Sequence, residues 1–180
     1  MQKDSPTLMN QPANRLGSQE TPAKPLAATL PQKERGQSHQ PPQEENLEPA
    51  ALAQQLGNRE AAGSYTLQCS VETLRNAANE AGFALFDTDL KGIKGKQNLL
   101  NALAVSAAFP PEFGANWDAL ADALCDLSWH GEAKGYVLLL RNVSDTFGLS
   151  ANDREIAQDI LADTVVYWRQ RNKAFWIFFV

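Results

Sequence analysis

A chain of 180 residues with a formal net charge of −5 has room for one ordinary domain and a remainder. Its excess of acids argues against nucleic-acid binding, which wants a basic face, and is compatible with a basic protein partner. No apolar run approaches the roughly 20 residues that span a bilayer, and the opening MQKDSPTLMNQPANRLG has no apolar core of an export signal. A cytoplasmic chain without membrane contact is therefore expected.

Composition divides the chain. Eight of the ten prolines fall within residues 1–50, and the first aromatic residue is Tyr65. Residues 1–60 are rich in Pro, Gln, Asn, Ser and Glu and bury too little apolar surface to offset chain entropy. They read as a disordered tail, with at most a transient helix at PAALAQQL. Residues 64–180 read as one globular domain, with fourteen acids against ten bases from residue 61 on.

The predicted elements follow in order. YTLQC (65–69) is short and β-leaning. VETLRNAANEAG carries Val71, Leu74, Ala77, Ala78 and Ala81 on one helical face, with Gly82 as its stop. FALFDTDL (83–90) reads as a buried strand with a polar end, and KGIKGKQ as a loop. NLLNALAVSAAF (98–109) reads as a helix ended by the proline after Phe109. A further helix opens at Trp117. YVLLLR (136–141) is a continuous apolar strand, a helix runs over about 152–171, and AFWIFFV closes the chain as a strand. Strands apolar throughout and separated by helices imply a parallel sheet covered on both faces, hence an α/β fold. The last strand belongs inside that sheet, so trimming it is expected to unfold the domain.

The helix from Trp117 is the unusual element. Asn116 is a good N-cap, and Gly114 before it permits a sharp entry turn. At roughly 100° per residue, Asp118, Asp122 and Asp126 fall within about 80° of one another, opposite Trp117, Leu120, Leu124 and Leu127. Asp118 suits the positive end of the helix dipole. Asp122 and Asp126 do not: like charges four apart cost a helix roughly 0.2–0.5 kcal/mol per pair. The residues among them (Ala115, Ala119, Ala121) are small and leave the acids unscreened. Such a stripe is either an ordinary solvated face or a flat acidic surface open to a partner.

Catalytic and metal readings fare worse. Two or three exposed aspartates without an enclosing loop do not make a metal site. Nucleophilic catalysis needs a base, and of the two histidines His39 lies in the tail and His130 reads as a loop residue. DTDLKGIKGK lacks a phosphate-loop fingerprint. Cys69 and Cys125 have no metal or redox spacing, and two free thiols in a reducing compartment are expected. No catalytic residue, cofactor or metal is therefore assigned.

FPPEFGANWDALADALCDLSW, followed by GYVLLL, resembles the barstar family of ribonuclease inhibitors. The shared features are an apolar residue and proline, an aromatic-Gly-x-Asn turn, and a helix opening x-Asp-Ala-Leu with a second Asp four residues on. The resemblance covers about 82–180, and 64–81 is similar to an added strand and helix. It implies a three-layer α/β fold around a small parallel sheet. It also implies an inhibitor whose acidic helix and preceding turn block the active site of a basic ribonuclease. Asp118 and Asp122 match the family's two helix aspartates, Asp122 the dominant anchor, and Phe113, Gly114 and Asn116 match the turn. Glu112 stands where the family's type member has a tyrosine, Ala121 where it has a tryptophan, and Tyr167 where its long helix offers a glutamate. Arg171 follows one turn after Tyr167. Trp129 is similar to a tryptophan after the helix, two residues displaced. These differences bear on the partner's identity more than on the mode of binding.

The expectation is thus a non-enzymatic immunity protein, monomeric when free, that binds a basic ribonuclease or related nuclease toxin. The expected contacts are Glu112, Phe113, Gly114, Asn116, Asp118, Asp122, Asp126 and Trp129. The alternative is a non-catalytic module of the same fold that binds another toxin or a regulatory protein.

Overall fold

The computed structural model of the chain describes residues 49–144 and 147–180. Four strands, β1 (Ser64–Thr66), β2 (Ala84–Asp89), β3 (Gly135–Arg141) and β4 (Ala174–Phe179), pair in the order β1-β4-β3-β2, all parallel. The helices are α1 (Pro49–Leu56), α2 (Val71–Ala81), α3 (Lys96–Ser106), α4 (Trp117–Asp126) and α5 (Ala151–Gln170). The expected α/β architecture is what forms, and β4 lies inside the sheet as its apolar sequence requires.

Side chains alternate across each strand and so define two cores. Tyr136, Leu138 and Leu140 of β3, with Phe175 and Ile177 of β4, face α3, α4 and α5. Val137 and Leu139, with Trp176 and Phe178, face α1 and α2. All six residues of β3 from Gly135 to Leu140 are buried, as expected of a strand with helices over both faces. Gly135 admits no side chain: an added Cβ would lie 2.5 Å from the Phe83 ring and 2.8 Å from the Ala174 carbonyl. The polar end of β2 is held by ion pairs, Asp87 binding both Arg75 and Arg141 and Asp89 lying 3.6 Å from Arg141.

Two expectations need correction. The proposed tail, residues 1–60, lies outside the described residues only as far as residue 48. Its last part is folded: α1 buries Leu52 and Leu56 against α2, and the Leu56 carbonyl accepts a hydrogen bond from Trp176 Nε1 at 2.8 Å. A 3-10 turn follows at Arg59–Ala61, and Arg169 of α5 donates to the Ala62 carbonyl at 2.7 Å. PAALAQQL is therefore a packed helix, because α2 supplies apolar partners and Trp176, more than a hundred positions away, a polar one. The helix expected over 98–109 runs instead from Lys96 to Ser106. It ends three residues early because Ala108 turns left-handed (φ 47°), letting the Phe109 amide reach back to the Ala104 carbonyl at 2.9 Å.

Candidate functional site

The acidic helix forms as its sequence predicts. The Asn116 side chain accepts from the Ala119 amide at 2.8 Å, capping α4. Trp117, Leu120, Ala123 and Leu124 are buried, and so is Leu127, which closes the helix in a left-handed conformation (φ 49°). Asp118, Asp122 and Asp126 are exposed on the opposite side. Among the described residues none of these three carboxylates forms an ion pair, whereas Asp87 and Asp89 at the end of β2 are paired with arginines.

The entry turn differs in one detail from its expected chemistry. The residue with positive φ is Ala115 (46°), not Gly114. Gly114 is needed for room instead, since an added Cβ would come within 3.1 Å of the Asn116 amide nitrogen. A larger residue at position 114 would press on the side chain that caps the helix.

Beside this turn stands a half-buried aromatic group. Phe109 meets Phe113 at 4.9 Å and Trp129 at 5.8 Å, both edge-on. Trp129 Nε1 donates to the Ala107 carbonyl at 3.0 Å, and His130 Nε2 bonds the same carbonyl at 2.7 Å, so that nitrogen carries the proton. One oxygen thus pins the segment after α4 to the end of α3. Phe113 and Trp129 are brought together, with Phe109, which the sequence reading left out, wedged between them. Glu112 is exposed on the same turn.

Two supports fix the helix from behind. Trp117 Nε1 donates to Asp153 at 3.2 Å, and Lys96 lies over the Trp117 ring at 5.0 Å. Trp168 Nε1 of α5 donates to the Leu124 carbonyl at 2.8 Å, holding the last turn of α4. The row of acids therefore rides on a rigid element rather than a loop.

The catalytic candidates are occupied otherwise. His130 spends Nε2 on a main-chain carbonyl and packs against Phe86 at 4.7 Å. Burial pushes the Cys125 thiol up, opposed by Thr164 and Arg171 and reinforced by Asp122 and Asp163, so it is held as a thiol. Cys69 is pushed up by burial too, and both cysteines are free. Among the described residues no three His, Cys, Asp or Glu side chains are grouped to hold a metal ion, and no helix is long and apolar enough to cross a membrane.

What the face can do follows from its chemistry. Unpaired carboxylates on a rigid helix, flanked by partly exposed aromatic rings, suit an anchoring contact with clustered cations. A family model described as Barstar (barnase inhibitor) matches residues 83–180, which include every residue of this face. A search of curated proteins found no match.

Proposed function

The chain belongs to the barstar family, and from that premise we propose that it is an immunity protein that binds a basic ribonuclease and covers its active site. The observation that carries this reading is the row of exposed, unpaired acids, Asp118 and Asp122 foremost, on a helix packed against the sheet. A ribonuclease cleft holds phosphate with cationic side chains, and carboxylates of fixed spacing replace phosphate there. Asn116 and Gly114 shape the turn before the row. Phe113 and Trp129 supply apolar contact, and Glu112 and Asp126 extend the negative surface at its two ends. The complex acts by occlusion, in the cytoplasm, without catalysis or cofactor, and the free inhibitor is a monomer.

Asp122→Ala is expected to weaken the complex by about 2 to 5 kcal/mol, the range for truncating one partner of a buried charge pair, barnase–barstar complexes among the reference cases. Titration calorimetry against a catalytically silenced basic ribonuclease measures it. Unchanged affinity with the helix intact by circular dichroism would sink the mechanism. A second reading keeps the face but gives it another toxin or a regulatory protein, and the observation in its favour is Arg171, an exposed cation at the end of α5, the helix bonded to the last turn of α4. Affinity capture from the source cell separates the two: a small basic nuclease as the main prey supports the first.

A further inference from the structure

The residue that caps the end of α5, Arg171, is a cation that the acidic row leaves unused. The Arg171 guanidinium lies 3.5 Å from the centre of the Tyr167 ring, and its Nη1 donates to the Tyr167 carbonyl at 3.3 Å. Tyr167 in turn meets Trp168 edge-on, 5.4 Å between centres, and Trp168 is the residue bonded to the Leu124 carbonyl. These contacts hold the stacked pair beside the last turn of α4, at the end of the aspartate row. Arg171 and Asp122 both act on the Cys125 thiol, with opposite sign, which agrees with that placement.

Arg171 is exposed and, among the described residues, forms no ion pair. An ordinary surface arginine moves freely and loses side-chain entropy when a partner fixes it. This one already lies over an aromatic ring and spends one N–H of its five on the Tyr167 carbonyl, which leaves donors for a partner. Tyr and Arg are also the side chains that concentrate at the energetic centres of interfaces. A cation so placed is costly opposite another cation and favourable opposite a carboxylate.

We propose that Arg171, positioned by Tyr167, is the specificity-determining residue of the acidic face: it accepts partners that present a carboxylate next to their cationic cleft and rejects those whose contact surface is cationic throughout. This rests on the reading that the Asp122 row binds a basic ribonuclease. Discrimination comes from a repulsive element beside an attractive one. The partner's signature is then a charge pattern, cations opposite Asp118 and Asp122 and an acid opposite Arg171.

The test uses the full chain and, as probe, a display library of catalytically silenced barnase in which surface Lys and Arg positions are varied to Glu. Selection on the wild-type chain is expected to enrich glutamate at one or two positions, and the enriched variant is expected to bind about tenfold more tightly than the starting probe. Arg171→Glu is expected to abolish that enrichment. Tyr167→Ala is expected to weaken it and Tyr167→Phe to keep it, a pattern that mere loss of stability does not produce. Equal enrichment on the wild-type chain and on Arg171→Glu, or recovery of no binder by either, overturns the proposal. Asp122→Ala separates the two readings: if it selects the same variants as tightly as wild type, the ribonuclease-cleft reading falls while the role of Arg171 stands.

Discussion

At the scale of the residue, the acidic helix is a case of local stability yielded for surface chemistry. Asp122 and Asp126 sit where helix-favouring side chains would be worth more, and Asp126 lies at the negative end of the helix dipole. The helix holds because its other face and its first turn compensate. Asn116 is the clearest single contributor, since its oxygen satisfies an amide that has no helical partner. Asn116→Ala is expected to lower unfolding stability by about 1 kcal/mol, measured by urea denaturation, with Asn116→Asp retaining most of it. The cap was legible in the sequence, as was the division of Asp118, Asp122 and Asp126 from the leucines, because both depend on spacing within a few residues. The left-handed conformation at Ala115 was not legible: glycine is the residue expected there, and Gly114 stands next door. Nor was the stacking of Arg171 on Tyr167, whose i,i+4 spacing allows it but does not require it.

At the scale of elements, the strands β2, β3 and β4 and the helices between them follow from apolar runs and helical periodicity. The place of α1 does not. Eight residues of Pro49–Leu56 carry no aromatic and adjoin a proline-rich stretch, so composition assigns them to the tail. What makes them structure lies outside the helix, namely α2 and Trp176. A deletion series measures the difference. Removing residues 1–48 is expected to leave the melting temperature unchanged. Removing residues 1–62 exposes the α2 face and takes away the burial of Leu52 and Leu56, at a cost of about 3 kcal/mol or more. Equal melting temperatures for the two deletions would show that α1 contributes nothing. The position of β1 was equally hidden, since no local pattern says that a strand between α1 and α2 crosses to pair with β4, the last strand of the chain.

At the scale of the whole molecule, charge is sorted. The arginines Arg75 and Arg141 are neutralised by Asp87 and Asp89 at the end of β2, while the acids of α4 are left bare. A net charge of −5 with an unpaired acidic face would draw a basic partner over distances beyond contact. Association is therefore expected to slow by about tenfold or more between low and high ionic strength while dissociation changes little, as stopped-flow mixing at several salt concentrations will measure. An association rate indifferent to salt would mean that the acids act only after contact.

The short strand β1 has a consequence of another kind. Ala174–Phe179 reads AFWIFF, a six-residue window of high β-propensity without a charge, the type of segment that stacks into fibrils when its edge is bare. β3 covers one of its edges and β1 the other, and β1 itself, at three residues, offers little backbone for a further strand to join. A chain cut back to residues 83–180 would lose that cover. Its hazard during synthesis and storage would be aggregation through β4, a cost the N-terminal elements would offset whatever the chain binds.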